Sequence, residues 1–181
     1  MRKIALSISE IKDIEKREFL RLGNSFKLME QAGKACAKQI AKIYKKNRFI
    51  VICGPGNNGG DGLILSSCLN EHGKEVDLYC LGKNNYKGDS LKAYKKNKLK
   101  KKPLEELNTK QDAVIVDALF GIGLNKKIEG IFKDCVNKIN NSNLKVIAVD
   151  IPSGIYGDNG KIMGEAVRAD VTLALHAKKL G

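Results

Sequence analysis

The stretch Phe49-Ile-Val-Ile-Cys-Gly54-Pro-Gly-Asn-Asn-Gly-Gly-Asp-Gly62 decides how the rest of the chain is read. An apolar run rich in β-branched residues, a glycine cluster and then an apolar-periodic segment spell strand, tight loop and helix. A loop so poor in side chains lets backbone N–H groups approach a ligand closely, and Asp61 stands where it can cap the helix that follows. The helix is placed at residues 63–71, with Leu63, Ile64, Leu65 and Leu69 turned inward and Gly73 as its stop. Glu75-Val-Asp-Leu-Tyr-Cys-Leu81 then alternates as a second strand, so residues 49–81 form one β-α-β unit with parallel strands and a right-handed crossover.

Upstream, the spacing predicts a charged helix over 9–22 ending at Gly23, and a second from Asn24 or Ser25 to about Lys46. The small residues Ala32, Gly33, Ala35 and Ala37 keep the second helix slim, and close packing accounts for Gly33. Downstream, Asn84 to Lys101 is a polar, lysine-rich loop and helix. Ala113-Val-Ile-Val-Asp117 and Lys145-Val-Ile-Ala-Val-Asp150 are apolar strands that end in acids, separated by a helix over 130–139, and Ala169 to His176 closes the pattern as a last strand. Strands that are apolar on both faces and alternate with helices make an α/β fold with a mainly parallel sheet between two helical layers. A length of 181 residues with 43% hydrophobic content supports one domain, 1–181, with no linker and no internal repeat.

The chain carries a net charge of +13, densest along Lys95 to Lys102. Arginine is scarce, aromatics are 6% and tryptophan is absent, so the excess reads as a lysine-biased surface rather than a nucleic-acid reader, although the field helps attract an anionic small molecule. The five cysteines form no C-x-x-C pair and read as reduced core residues. His72 and His176 are too isolated for a zinc site. No apolar run approaches a membrane span, and residues 1–4 lead into charged sequence rather than a leader, which points to the cytoplasm.

Three loops, 54–61, 117–124 and 150–154, each follow a strand directly. In a parallel sheet they all emerge at the carboxyl edge, where open α/β folds bind ligands, so Asn57, Asn58, Asp61, Asp117, Asp150 and Ser153 converge. The Gly54-x-Gly56-x-x-Gly59 spacing matches the dinucleotide fingerprint, but Pro55 removes an N–H, Asp61 puts a carboxylate near the helix start, and the strand ending at Leu81 has no acid for a ribose. A hydride-transfer enzyme is disfavoured on those grounds. Ser153 follows a proline and lacks a nucleophile elbow, which makes it a turn serine or a hydroxyl ligand. Two acids at strand tips beside amide oxygens suit cation binding or proton transfer, with loop capping as the plain structural alternative.

Gly54-Pro-Gly-Asn-Asn-Gly-Gly-Asp-Gly62, Asp117-Ala-Leu-Phe-Gly-Ile-Gly123, Val149-Asp-Ile-Pro-Ser-Gly154 and Leu28-Met-Glu-Gln-Ala-Gly33 together resemble the NAD(P)H-hydrate epimerase family, the YjeF N-terminal domain. The resemblance implies a Rossmann-like three-layer α/β/α sandwich that interconverts the R and S forms of hydrated NADH or NADPH. It implies one potassium ion per subunit held by Asn58, Asp117 and Ser153. It also implies substrate contacts from Asn57, Asn58, Gly59, Gly60 and Asp61, from the loop Gly121, Ile122, Gly123, Leu124, Asn125, Lys126 and Lys127, and from Asp150. Asp150 is read as both the acid that assists departure of the hydroxyl and the base that activates the returning water. Glu15 takes the place of the family's first-helix acid, and Gln31 stands where Asn is common. The family continues through a further strand where this sequence ends at Lys178-Lys-Leu-Gly181, so the C-terminal end is read as short. A homodimer and a dehydratase partner, possibly fused, are implied, with no nucleic acid or membrane. The competing reading is a non-catalytic nucleotide- or RNA-binding scaffold of the same domain type.

Overall fold

The computed structural model describes residues 5–46 and 48–181. Residues 1–4, read above as no leader, lie outside the described residues, as does Asn47. The elements in chain order are β1 (Ala5–Leu6), α1 (Ile8–Leu22), α2 (Ser25–Ile43), β2 (Arg48–Cys53), α3 (Asn57–Glu71), β3 (Glu75–Cys80), α4 (Gly88–Lys96), β4 (Lys101–Lys102), β5 (Val114–Ala118), α5 (Gly130–Asn140), β6 (Lys145–Val149), β7 (Val171–Leu173) and β8 (Lys178–Lys179). The main sheet has the order β4-β3-β2-β5-β6-β7, with every pair parallel.

Alternation along the central strands builds two cores. Phe49, Val51 and Cys53 with Val114 and Val116 face the layer of α2, α3 and α4, where they meet Ile40, Leu65 and Leu69. Ile50, Ile52 and Ile115 face the other layer and pack on Cys135, Val136 and Ile139 of α5. Both faces are dry, as expected for an all-parallel sheet, and the three-layer expectation holds.

The helix starts follow local chemistry. Ser7 and Glu10 close a reciprocal capping box on α1, which stops at Gly23 in the left-handed region. Asn24 caps α2 by accepting from the Phe26 N–H, and α2 ends at Ile43, short of Lys46. Two expectations need correction. Helix α3 begins at Asn57, not at residue 63, so the glycine cluster is its first two turns and Asp61 is a helix-interior residue rather than a cap. The reason is packing: a β-carbon at Gly59 would fall on the Gly54 carbonyl, and one at Gly62 would lie 2.5 Å from the Ala118 β-carbon. Each interior glycine costs a helix about 1 kcal/mol against alanine, and the close approach to the sheet outweighs it.

The last strand is also shorter than read. Only Val171–Leu173 join the sheet, after which the chain turns, with His176 at φ 59, and β8 pairs in parallel with β1. The segment 174–181 is a strap across the carboxyl end of the sheet rather than its continuation.

Candidate active site

The three loops converge as the topology requires, around a cleft of about 720 Å³ at the carboxyl edge of the sheet. Helix α3 supplies Asn57, Asn58 and Asp61, the segment after β5 supplies residues 119–126, and the tip of β6 supplies Asp150. Helix α1 adds Lys12, Glu15 and Lys16, and the C-terminal strap adds Leu175 and His176.

Beneath the floor lies a buried hydrogen-bond knot. Asp117, wholly buried near the end of β5, accepts from the Ser153 hydroxyl (2.6 Å) and the Leu119 N–H (3.1 Å) on Oδ1, and from the Ser153 N–H (2.9 Å) on Oδ2. Ser153 Oγ in turn accepts from the Phe120 N–H at 2.9 Å. One carboxylate thereby ties the loop after β5 to the loop after β6. Burial pushes the Asp117 carboxyl up to about 6, against the lowering effect of its Ser153 and Leu119 bonds.

Asn58 differs from this knot. Its Oδ1 and Nδ2 are buried and find no hydrogen-bond partner among the described residues. Such groups are rare in folded proteins. A β-carbon on Gly121 would lie 3.3 Å from that of Asn58 and 2.7 Å from Asp150 Oδ2, so Gly121 threads between the two side chains. The next residue along, Ile122, donates its N–H to Asp150 Oδ2 at 3.1 Å.

Asp150 stands at φ 71, a left-handed conformation that Asp tolerates better than most residues, and its N–H donates to Leu173 O at 2.8 Å. Its Oδ1 forms an ion pair with Lys179 of the strap, whose side chain is 3% exposed. Asp61, buried on the cleft side of α3, is held well above the usual carboxylate range by burial, and then by the charges of Asp150 and Glu15. Two carboxyl groups on different walls therefore differ in setting, one against an ammonium and one in a dry pocket.

Several expected contacts fall elsewhere. Gly59 and Gly60 do not line the cleft; they pack against the Gly54 backbone and the Met29 thioether. Gly33, as expected, serves packing, since a β-carbon there would lie 2.6 Å from that of Ile64. Lys127 is exposed outside the lining, whereas Gly121, Ile122, Gly123, Leu124, Asn125 and Lys126 are within it. Asp117 and Ser153 lie beneath the floor rather than on it. Sequence reading missed Lys179, because a lysine in a Lys-Lys pair near a polar end carries the signature of a solvated surface.

The model for the YjeF-related protein N-terminus matches residues 25–181. The chain belongs to the YjeF N-terminal family. Among relatives in it, an NAD(P)H-hydrate epimerase of Limosilactobacillus reuteri is 36% identical over 87% of this chain and 76% of its own length. One of Levilactobacillus brevis is 37% identical over 85% and 74%. A bifunctional NAD(P)H-hydrate repair enzyme of Thermofilum pendens is 36% identical over 96% of this chain, which spans only 36% of that protein. The crystal structure of yeast ynu0 superposes with a TM-score of 0.79 at 24% identity, covering 98% of this chain and 82% of the yeast one, and has the same fold.

Proposed function

We propose that the chain is an NAD(P)H-hydrate epimerase that interconverts the R and S epimers of hydrated NADH or NADPH. The observation that carries this reading is the pair of buried carboxyls, Asp61 and Asp150, on two walls of one cleft. The relatives named as epimerases, matched over most of their length, support it.

The hydrated ring carbon bears a hydroxyl and adjoins the ring nitrogen. The nitrogen lone pair expels the hydroxyl to leave an iminium, and water added to the other face gives the opposite epimer. One group must donate a proton to the departing hydroxyl and another must take one from the incoming water. The buried setting that keeps Asp61 toward its neutral acid form suits donation. Asp150, with an ammonium at Oδ1, suits acceptance; the sequence reading gave it both halves. An iminium is a strong electrophile, so a weak but well-placed base suffices. One turnover moves one proton from Asp61 to Asp150, and proton exchange with solvent through the cleft resets both groups before the next. Lys12 and Lys16 on α1 and Lys126 on the facing loop bring positive charge to the mouth, in keeping with a substrate that carries phosphates.

The donor set also fits potassium. Asn58 Oδ1, the Asp117 carboxylate and Ser153 Oγ are hard oxygen ligands, and the unmet Asn58 amide is the observation that calls for one more partner. When bound there, a monovalent ion supplies fixed positive charge near the substrate rather than an activated water. A cytoplasmic location, a homodimer and a dehydratase acting on the S form belong to the same proposal. Among the described residues no helix is long and apolar enough to cross a membrane.

The test separates the two epimers chromatographically and follows R-to-S conversion above the spontaneous rate. The expected result is acceleration by the wild type and a fall of roughly 100-fold in Asp150→Ala. Conversion at background by the wild type, or an undiminished rate in Asp150→Ala, would sink the proposal. Salt-sensitive RNA binding without conversion would favour the scaffold reading instead.

A further inference from the structure

Lys179 is buried beside the cleft as the ammonium at Asp150 Oδ1. It sits on β8, opposite Leu6 of β1; Leu180 N–H donates to Leu6 O at 3.2 Å, and Gly181 N–H ties the strap to the loop after β6 through Gly157 O at 2.9 Å. Its stem passes over Gly157, where a β-carbon would lie 3.4 Å from Lys179 Cγ.

An ammonium has three protons to donate. Those of Lys179 are matched by Asp150 Oδ1, Leu175 O at 3.0 Å and Ala177 O at 3.2 Å. None is left for a substrate, so Lys179 is not a proton donor in the reaction. Nor does stability explain it. Desolvating an ammonium and a carboxylate costs several kcal/mol each, and apolar residues of the same volume are often at least as stable.

What the pair does is fix a carboxylate. Ile122 N–H holds Oδ2, Lys179 holds Oδ1, and the Leu173 carbonyl holds the backbone of a residue in a left-handed conformation. We propose that Lys179 is a positioning residue that orients the Asp150 carboxylate toward the cleft. The inference rests on the assignment of Asp150 to the reaction. A lysine that only pinned the strap would act differently, because its loss would displace the cleft wall at Leu175 and His176 and weaken substrate binding.

The experiment measures kcat, KM and thermal midpoint for the full chain in five forms: wild type, Lys179→Met, Lys179→Gln, Asp150→Asn and the double variant Asp150→Asn/Lys179→Met. Misplacing a reacting group by about 1 Å costs on the order of 100-fold, so Lys179→Met is expected to lose ~100-fold in kcat with KM changed by less than about threefold. Lys179→Gln, a neutral donor, falls between it and the wild type. The double variant is expected to be no slower than Asp150→Asn and to melt above Lys179→Met, since it buries no unpaired charge. Should Lys179→Met fail to fold, Lys179→Gln and the double variant still decide. A wild-type kcat in the Lys179 variants, a rise in KM alone, or losses that multiply in the double variant would overturn the proposal while leaving Asp150 its role. An unimpaired Asp150→Asn would overturn both.

Discussion

Replacing Asn58 with leucine separates a cation ligand from an ordinary core residue. The Asn58 amide has two buried polar atoms without partners, and each unmet group of this kind costs about 1–3 kcal/mol. Leucine has a similar volume and removes both. In tetramethylammonium chloride, whose cation is too large for such a site, Asn58→Leu is therefore expected to be more stable than the wild type by ~2 kcal/mol, or roughly 4–8 °C in a chain of this size. In potassium chloride at the same ionic strength the wild type gains about 2.7 kcal/mol when the ion is at 100 times its Kd, while the variant gains nothing, so the order of the midpoints closes or reverses. The Asp117 carboxyl, proposed as a second ligand and pushed up to about 6, binds a cation only when ionised, so the potassium increment should be larger at pH 8 than at pH 5. Thermal melts of both proteins in the two salts are the assay. If Asn58→Leu is the less stable protein in both salts, and both proteins respond to potassium equally, Asn58 is not a ligand.

Two further substitutions probe the scaffold and the second acid. The folded chain holds the Asp61 proton more tightly than the unfolded chain does, so the stability this confers is complete below the unfolded value of about 3.9 and is lost as pH rises through the raised folded value. Neutral Asp61→Asn avoids that loss. Its midpoint relative to wild type should therefore climb between pH 4 and pH 8, and a flat difference would argue against the buried acid; conversion should also slow by roughly 100-fold. Gly59→Ala forces a β-carbon onto the Gly54 carbonyl, which no side-chain rotation relieves, and should cost more than about 4 kcal/mol in urea unfolding, whereas a cost below about 1 kcal/mol would show that α3 can slide.

The strands were legible because β2, β5 and β6 are apolar on both faces, a pattern a parallel sheet produces directly. The convergence of Asn58, Asp61 and Asp150 was legible for the same reason, since element order alone places strand-following loops at one edge. Helix α3 was misplaced by six residues because glycines report either a loop or a surface that must come close, and only the partner backbone distinguishes the two. Lys179 was invisible for a different reason. Nothing local marks a lysine whose counter-ion lies 29 residues away in sequence, across a strand pair two residues long.

The β1–β8 pair links residues 5–6 to 178–179, and it does so outside the main sheet. Closing a loop that spans nearly the whole chain has an entropic cost that local contacts do not help to meet, and the sheet must already be in place to receive the strap. Docking of the strap that carries Lys179 onto β1 is therefore expected to follow formation of the sheet. During refolding, helical and sheet signals should return before competence does, so the interval between the two measures how long the molecule exists as a completed sandwich with an unarmed cleft.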